Sequence, residues 1–423
     1  MPKIEKLSGR EILDSRGQPT VLATCVLDGG AHGSASVPSG ASTGKAEAFQ
    51  LRDCDPRRYN GLGCRRAVAN INEELNRALA NQEFGNQFEL DERLIDLDGT
   101  ETKSRIGGNA ILAVSIAFAR ACALQREVPL YEYFADMSGS SIDRLPRPTI
   151  NLFSGGKHAG QQVSIQDVLI IPMAAQTVDE ALVTAVNIYH AAAELTFRKY
   201  KMRLLTADEG GLAPPFRSTE EMLDLAVEAI AEAGYRPGED VFLGVDVAAS
   251  HFFEDGRYRL DSKFLESQEM IAEIVKWLDR FPVISVEDGL AEDDWDYWSR
   301  LRQAIGRRAL TLGDDLLCTN PARIERAVST EACDALLLKV NQIGTLTEAL
   351  NAYWQARHAG WMVTLSVRSG ETEDDWAADL ATGWGADQLK VGSVRHSERL
   401  SKYNRMLEIA EQTNWKLAEW PLG

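Results

Sequence analysis

Six short apolar runs in the second half of the chain each lead into charged or polar residues. Residues 241–245 lead into Asp246, 283–286 into Glu287, 310–313 into Asp314 and 335–338 into Lys339. Residues 362–365 lead into Ser366-Val367-Arg368-Ser369, and Gln388-Leu389 leads into Lys390. Any single charge after a buried strand is only where the chain meets water, but a set in register carries more. Brought to one edge, Asp246, Glu287 and Asp314 are three carboxylates that repel one another unless a cation sits between them. All-oxygen donors with no Cys or His pairing beside them suit Mg²⁺ or Mn²⁺ rather than zinc. Lys339 and Lys390 would project into the same mouth. An ammonium beside metal cations and a second ammonium has its charged form disfavoured, so Lys339 is expected to have a lowered pKa and to be usable as a general base. A carboxylate substrate held by such cations has an acidified α-proton, because the cations stabilise the dianion left behind.

Other residues could complete such a site. Asp208-Glu209-Gly210-Gly211 is either an ordinary tight turn or a place where backbone approaches a ligand closely, with Glu209 as a general acid for a leaving hydroxyl. Arg368 and Ser369 offer a planar fork of donors and a hydroxyl to an anionic phosphate. His158, after Gly155-Gly156-Lys157, is a lone loop histidine, a type that is usually structural. The small-residue run from Ser34 to Gly44 is either a flexible loop or a lid closing over a ligand with amides and hydroxyls.

The elements that must position these groups are legible in the spacing. From Leu310 to Thr345 the pattern is strand, loop, helix, strand, with Asn320 as cap and Pro321 in the first helical position. A right-handed crossover puts both strand exits at one edge of a parallel sheet. Repetition of this unit predicts a closed parallel α/β barrel with its site at the carboxyl ends of the strands. Before it, Val21, Ala23, Cys25 and Leu27 alternate as in antiparallel strands, and helical spacing runs over 65–80 and 109–127. The expected division is an α+β unit over 1–140 and a barrel over 141–423, with Leu145-Pro146-Arg147-Pro148 as the linker because its prolines bar a helix.

Composition narrows the partners. The 423 residues carry a net charge of −18, which argues against nucleic acid or an anionic membrane as the main partner and leaves an anionic small molecule in a locally positive site. Six cysteines without a CxxC pair point to reduced thiols in a cytoplasm. The charged first twenty residues do not read as a signal peptide, and no apolar run is expected to reach membrane-spanning length.

Longer motifs go further. GREILDSRG (9–17), PSGASTG (38–44), NAIL (109–112), DEGG (208–211), VED (286–288), GDDL (313–316), KVNQIGTLTE (339–348), RSGETED (368–374) and SERLSKYN (397–404) stand in this order. The chain resembles the enolase family over nearly its whole length. That resemblance implies a β/α barrel with an irregular start behind a smaller α+β domain, two Mg²⁺ ions per site, a homodimer or larger homo-oligomer, and dehydration of a 2-phosphoglycerate-type substrate. By position it implies Lys339 as base and Glu209 as acid. Asp246, Glu287 and Asp314 would hold the first metal, and Ser39 would help bind the second. Lys390 would meet the substrate carboxylate, Arg368 and Ser369 the phosphate, and His158 would close over the site.

The departures from the family pattern are local. The family's histidine before RSGETED is Val367, its glutamate in the motif at 166–168 is Asp167, its NGG is Ser154-Gly155-Gly156, and its SEF is Ser250-His251-Phe252. Base, acid and metal ligands are kept, while groups near the leaving group and the phosphate are altered. The expectation is therefore a Mg²⁺-dependent lyase acting on 2-phosphoglycerate or on a derivative with a larger phosphoryl substituent, as in the family's phosphonate-pathway members that make carboxyphosphonoenolpyruvate. The lean is toward the latter. The alternative is a non-catalytic surface-binding protein on the same scaffold, which the retained charges oppose because unused buried charges are costly.

Overall fold

The computed structural model describes residues 1–40 and 46–420. The chain opens as an antiparallel meander of β1 (Ile4–Leu13), β2 (Pro19–Leu27) and β3 (His32–Ser36). The alternation in β2 puts Val21, Ala23, Cys25 and Leu27 on the buried face, as expected. The helical spacing at 65–80 becomes α1 (Arg65–Asn70), a π turn over Ile71–Leu75, and α2 (Asn76–Leu79). There follow α3 (Gln87–Asp98), α4 (Gly108–Gln125) and α5 (Leu130–Ser138), of which α3 and α5 were not anticipated.

Helix α4 is the core of this unit and lies across β2 and β3. Glycine at position 33 makes that approach possible, since a Cβ there would stand 2.4 Å from the carbonyl oxygen of Ala117. Contrary to expectation, α4 is long and apolar enough by composition to span a membrane, but 83% of it is buried inside this fold, as befits a core helix.

The linker expected at 145–148 is not one. Leu145 ends β4 (Arg144–Leu145), and Arg147 and Pro148 begin β5 (Arg147–Ser154), the first barrel strand. Proline is tolerated at the start of a strand, where its missing N–H does not interrupt the ladder. Arg147 is buried, donating to the carbonyls of Pro172, Ala175 and Ala418 at 2.6, 3.0 and 3.0 Å, so it fastens the amino-terminal end of the barrel.

The next strands are β6 (Asp167–Pro172) and β7 (Val241–Asp246), separated by α6 (Val178–Tyr200) and α7 (Thr219–Glu232). A small sheet of β8 (Phe253–Glu254), β9 (Arg257–Leu260) and β10 (Lys263–Leu265) follows. Then helices and strands alternate: α8 (Ser267–Arg280), β11 (Val283–Glu287), α9 (Trp295–Ile305), β12 (Leu310–Gly313), α10 (Pro321–Ser329), β13 (Ala335–Leu338), α11 (Val340–Ile343), α12 (Leu346–His358), β14 (Met362–Ser366), α13 (Trp376–Gly383), β15 (Gln388–Gly392) and α14 (Ser397–Thr413). Capping signals work as read: Asn320 accepts from the Ala322 and Arg323 amides to open α10. The strands close as β11-β12-β13-β14-β15-β5-β6-β7. The barrel is not wholly parallel, because β6 runs antiparallel to both β5 and β7. The two β5–β6 ends are joined by a loop rather than a crossover helix, and only a crossover permits parallel pairing. The irregular start implied by the family resemblance is thus present.

The amino-terminal unit docks on the barrel through buried polar contacts. Asp91 of α3 accepts from the amide and hydroxyl of Thr347 in α12 at 2.9 and 2.7 Å, and from Gln87 at 3.0 Å. Burial outweighs those bonds and pushes its carboxyl up to about 6 from an ordinary 3.8. The folded pKa lies above the unfolded one, so the contribution to stability is fully present at low pH and lost as pH rises through about 6. In urea unfolding, the stability of the native chain minus that of Asp91→Asn is expected to fall by up to about 3 kcal/mol from about pH 4 to about pH 7. A difference that stays flat or rises over this range contradicts the assignment.

Candidate active site

Each charged residue read from the strand exits lies at the carboxyl end of the barrel. Asp246 and Glu287 end β7 and β11, Asp314 and Lys339 directly follow β12 and β13, and Lys390 lies in β15. All are buried or nearly so. Lys390 is the hub, its ammonium donating to Asp246 at 2.7 Å and to both oxygens of Glu287 at 2.8 and 2.7 Å. Lys339 pairs with Asp314. Asp246 and Glu287 therefore meet across the Lys390 ammonium, while the Asp314 carboxylate stands with Lys339 and with Asp288 and Asp315. Burial, and then the nearby Asp246 charge, push the Glu287 carboxyl well up. This is the electrostatic demand for positive charge that the donor set implies, and three hard oxygen donors fit Mg²⁺.

The lowered pKa expected of Lys339 was tied to neighbouring metal cations, and the chain's own groups act the other way. Burial works against its charged form, but Asp314 and Glu287 more than offset this, and its pKa stands above the ordinary lysine value rather than below it.

The acid side of the pocket is organised by β5 and β6. Asp167, at the start of β6, receives a 2.5 Å bond from the hydroxyl of Ser154 at the end of β5. Asn151 of β5 donates to Glu209 at 3.1 Å. The Gly210 turn, at φ +85°, sets Gly211 against Ser154 and brings Glu209 to the pocket wall. His158 Nδ1 lies 3.7 Å from Glu209 Oε1. Burial and the charges of Glu209 and Asp246 push the Asp167 carboxyl well up. Burial acts on Glu209 in the same direction, but His158, Arg399 and the two lysines hold it below the usual carboxylate range. Of the pair, Asp167 therefore has the higher proton affinity and the less favourable charged form.

The phosphate candidates are engaged within the protein. Arg368 forks onto Glu47 at 2.8 and 3.2 Å, tying the barrel to the amino-terminal unit. The Ser369 hydroxyl accepts from Arg16 at 3.2 Å. Ser39 donates to Asp14 at 2.8 Å and accepts from Arg16 at 3.0 Å, and its backbone pairs with Gly370. The lid reading is divided: Ser34 to Ser36 belong to β3, and residues 41–45 lie outside the described residues. Val367 and His251 line the pocket with His158, Glu209, Lys339 and Arg368. Burial, then the charge of Lys157, pull His251 down to about 4.

Several supporting residues escaped the sequence reading. Gln166 donates to Asp246 and Gln342 to Asp314, each at 2.9 Å. Asp288, with φ +44°, accepts from the amides of Asp314 and Asp315 at 3.0 and 2.6 Å, holding the β12 exit against β11. Its carboxylate forms a compact trio with Asp314 and Asp315, all within 4.8 Å. The VED motif, with a second acid after the ligand, was the available signal.

Two family models match the chain. One, described as the enolase N-terminal domain, covers residues 4–134, and one described as the enolase C-terminal TIM barrel domain covers residues 143–418.

Because Asp288 sets the backbone that carries Asp314, Asp288→Asn puts an amide against two N–H donors. Mg²⁺ titration followed by thermal shift is expected to show affinity weakened by about 10- to 100-fold with far-ultraviolet circular dichroism unchanged. Unaltered affinity would remove Asp288 from the metal's support.

Proposed function

The chain belongs to the enolase family, and on that premise we propose that it is a Mg²⁺-dependent hydro-lyase that converts a 2-phosphoglycerate-type acid to its enolpyruvate. The observation that supports this most is a single pocket at the strand ends lined by Asp246, Asp314, Lys339 and Lys390 together with Glu209 and His158, with Glu287 bonded to Lys390 and Asp167 beside Glu209. Asp246, Glu287 and Asp314 would hold one Mg²⁺, and Ser39 would join a second. When bound, these ions supply charge stabilisation to the dianion of the substrate carboxylate.

The chain's own residues account for the remainder. Lys390 would meet the carboxylate. Lys339 takes the α-proton once Asp314 is no longer its partner, since that partnership is what keeps it charged. The β-hydroxyl leaves as water with a proton from the Asp167–Glu209 pair, and the electron pair of the broken C–H bond becomes the new C=C bond. Arg368 and Ser369 are the groups for the phosphate, reached when Arg368 exchanges Glu47 for the ligand.

For the substrate itself, two residues favour a phosphoryl group larger than a simple phosphate. Val367 is apolar and buried beside Arg368 where the family carries histidine, and Asp167 is held back toward Ser154. Both leave room, and valine in place of histidine also removes a donor beside Arg368.

Formation of enolpyruvate, followed by ultraviolet absorbance with plain 2-phosphoglycerate, is expected to require Mg²⁺ and to be slow. Lys339→Ala should lower it further by about 10²- to 10⁴-fold. Rapid turnover of plain 2-phosphoglycerate would remove the larger-substituent reading. Full turnover by Lys339→Ala would remove the base.

A further inference from the structure

The wall formed by His158, Asp167 and Glu209, which the proposed reaction uses to deliver a proton, has a second chemical capacity. Each residue offers one ligand atom, and these atoms all lie within 4.8 Å of one another. The His158 Nδ1 to Glu209 Oε1 edge is 3.7 Å. Donors on one tetrahedral zinc, at roughly 2.0–2.2 Å from the metal, stand about 3.4 Å apart, so closing this triangle takes a small side-chain movement.

Two atoms of the cluster are buried without a hydrogen-bond partner among the described residues: His158 Nδ1 and Asp167 Oδ2. The His158 side chain is 8% exposed and Asp167 is 1% exposed. Buried polar atoms nearly always find a partner, so unmet lone pairs converging on one point call for a ligand with positive charge. The other oxygen of Asp167 is fixed by Ser154 and that of Glu209 by Asn151, which leaves one oxygen of each carboxylate directed to the shared space. Bonds of this kind to the outer oxygen orient metal-binding carboxylates.

We propose that His158, Asp167 and Glu209 form a separate binding site for a divalent transition-metal ion of the zinc class, distinct from the all-carboxylate set of Asp246, Glu287 and Asp314. One imidazole with two carboxylates selects Zn²⁺ or Co²⁺ over Mg²⁺, which takes hard oxygen ligands. Three protein donors leave a fourth position open to water or substrate. Arg399, Lys390 and Lys339 oppose a cation here, while Asp246 and the two ligand carboxylates favour one. An ion in this site occupies the lone pairs of both acids and blocks proton delivery to the leaving hydroxyl.

Direct binding tests this without reference to turnover, so a chain inactive on every substrate offered still decides it. The full chain is saturated with Mg²⁺ and titrated with Co²⁺, the visible d–d absorbance reporting low-coordinate cobalt, with Zn²⁺ as displacer. One Co²⁺ per chain is expected to resist excess Mg²⁺ and to yield to Zn²⁺. His158→Asn and Asp167→Asn, each checked for fold by circular dichroism, should each weaken it on the order of 100-fold, at least what loss of an outer partner costs a metal site. Asp246→Asn should leave it in place. No Mg²⁺-resistant band in the folded chain overturns the proposal, as does a band that survives both His158→Asn and Asp167→Asn or is lost in Asp246→Asn.

Discussion

The Lys390 ammonium, held between Asp246 and Glu287, is the constraint on which the mouth of the barrel depends. Three acids and two lysines are removed from water there. A buried ion pair is tolerable only when both members are present, because removing one leaves a charge costing about 3–5 kcal/mol. The barrel must therefore bring β7, β11 and β15 to a common level, and the register does so: Glu287 stands opposite Asp246 across the β11–β7 ladder. A mouth built this way is balanced in the resting chain and has strong oxygen ligands available to any cation that displaces the lysine.

That balance is supported from outside the ligand set. Gln342 holds Asp314 by the oxygen that Lys339 leaves, Gln166 shares an Asp246 oxygen with Lys390, and Asp288 fixes Asp314 by its backbone; Ser154 and Asn151 hold one oxygen of Asp167 and one of Glu209, respectively. The antiparallel β6 belongs to this support. Because it reverses direction, its first residue rather than its last lies at the carboxyl end of its neighbours, which places Asp167 opposite both Ser154 and Asp246. An all-parallel sheet would put that residue at the other end of the barrel.

The amino-terminal unit completes the pocket as well as covering it. Glu47 reaches Arg368, and Asp14, Arg16 and Ser39 form a polar knot against Ser369 and Gly370. Arg120 pairs with Asp374 and Asp375 at 2.6 and 2.7 Å, and Lys103 with Glu348 at 2.7 Å, so charges on both sides of the contact hold the two parts in one relation. The residues with phosphate-binding chemistry are thus shared between internal partners and any ligand.

How much of this was legible follows from the range of the forces involved. The alternation in β2, the caps of α10, the apolar runs ending in Asp246, Glu287, Asp314, Lys339 and Lys390, and the turn at Gly210 are local patterns, set by side-chain periodicity and backbone sterics over a few residues. The sequence by itself therefore determined the barrel's strands from β7 onward, the carboxyl-end location of the site and the identity of its charged groups. The first two residues of β5 were read as part of a linker because proline at a strand start looks like a break, and β6 was missed because a fully buried strand has no alternation to display. Only the tertiary structure decided that β6 runs backwards, that Asp314 holds Lys339 charged, that Ser154 holds Asp167, and that Arg368 is shared with Glu47. Each of these depends on which groups meet after burial, where desolvation and a partner from a distant part of the chain outweigh anything a residue's own neighbours in sequence can impose.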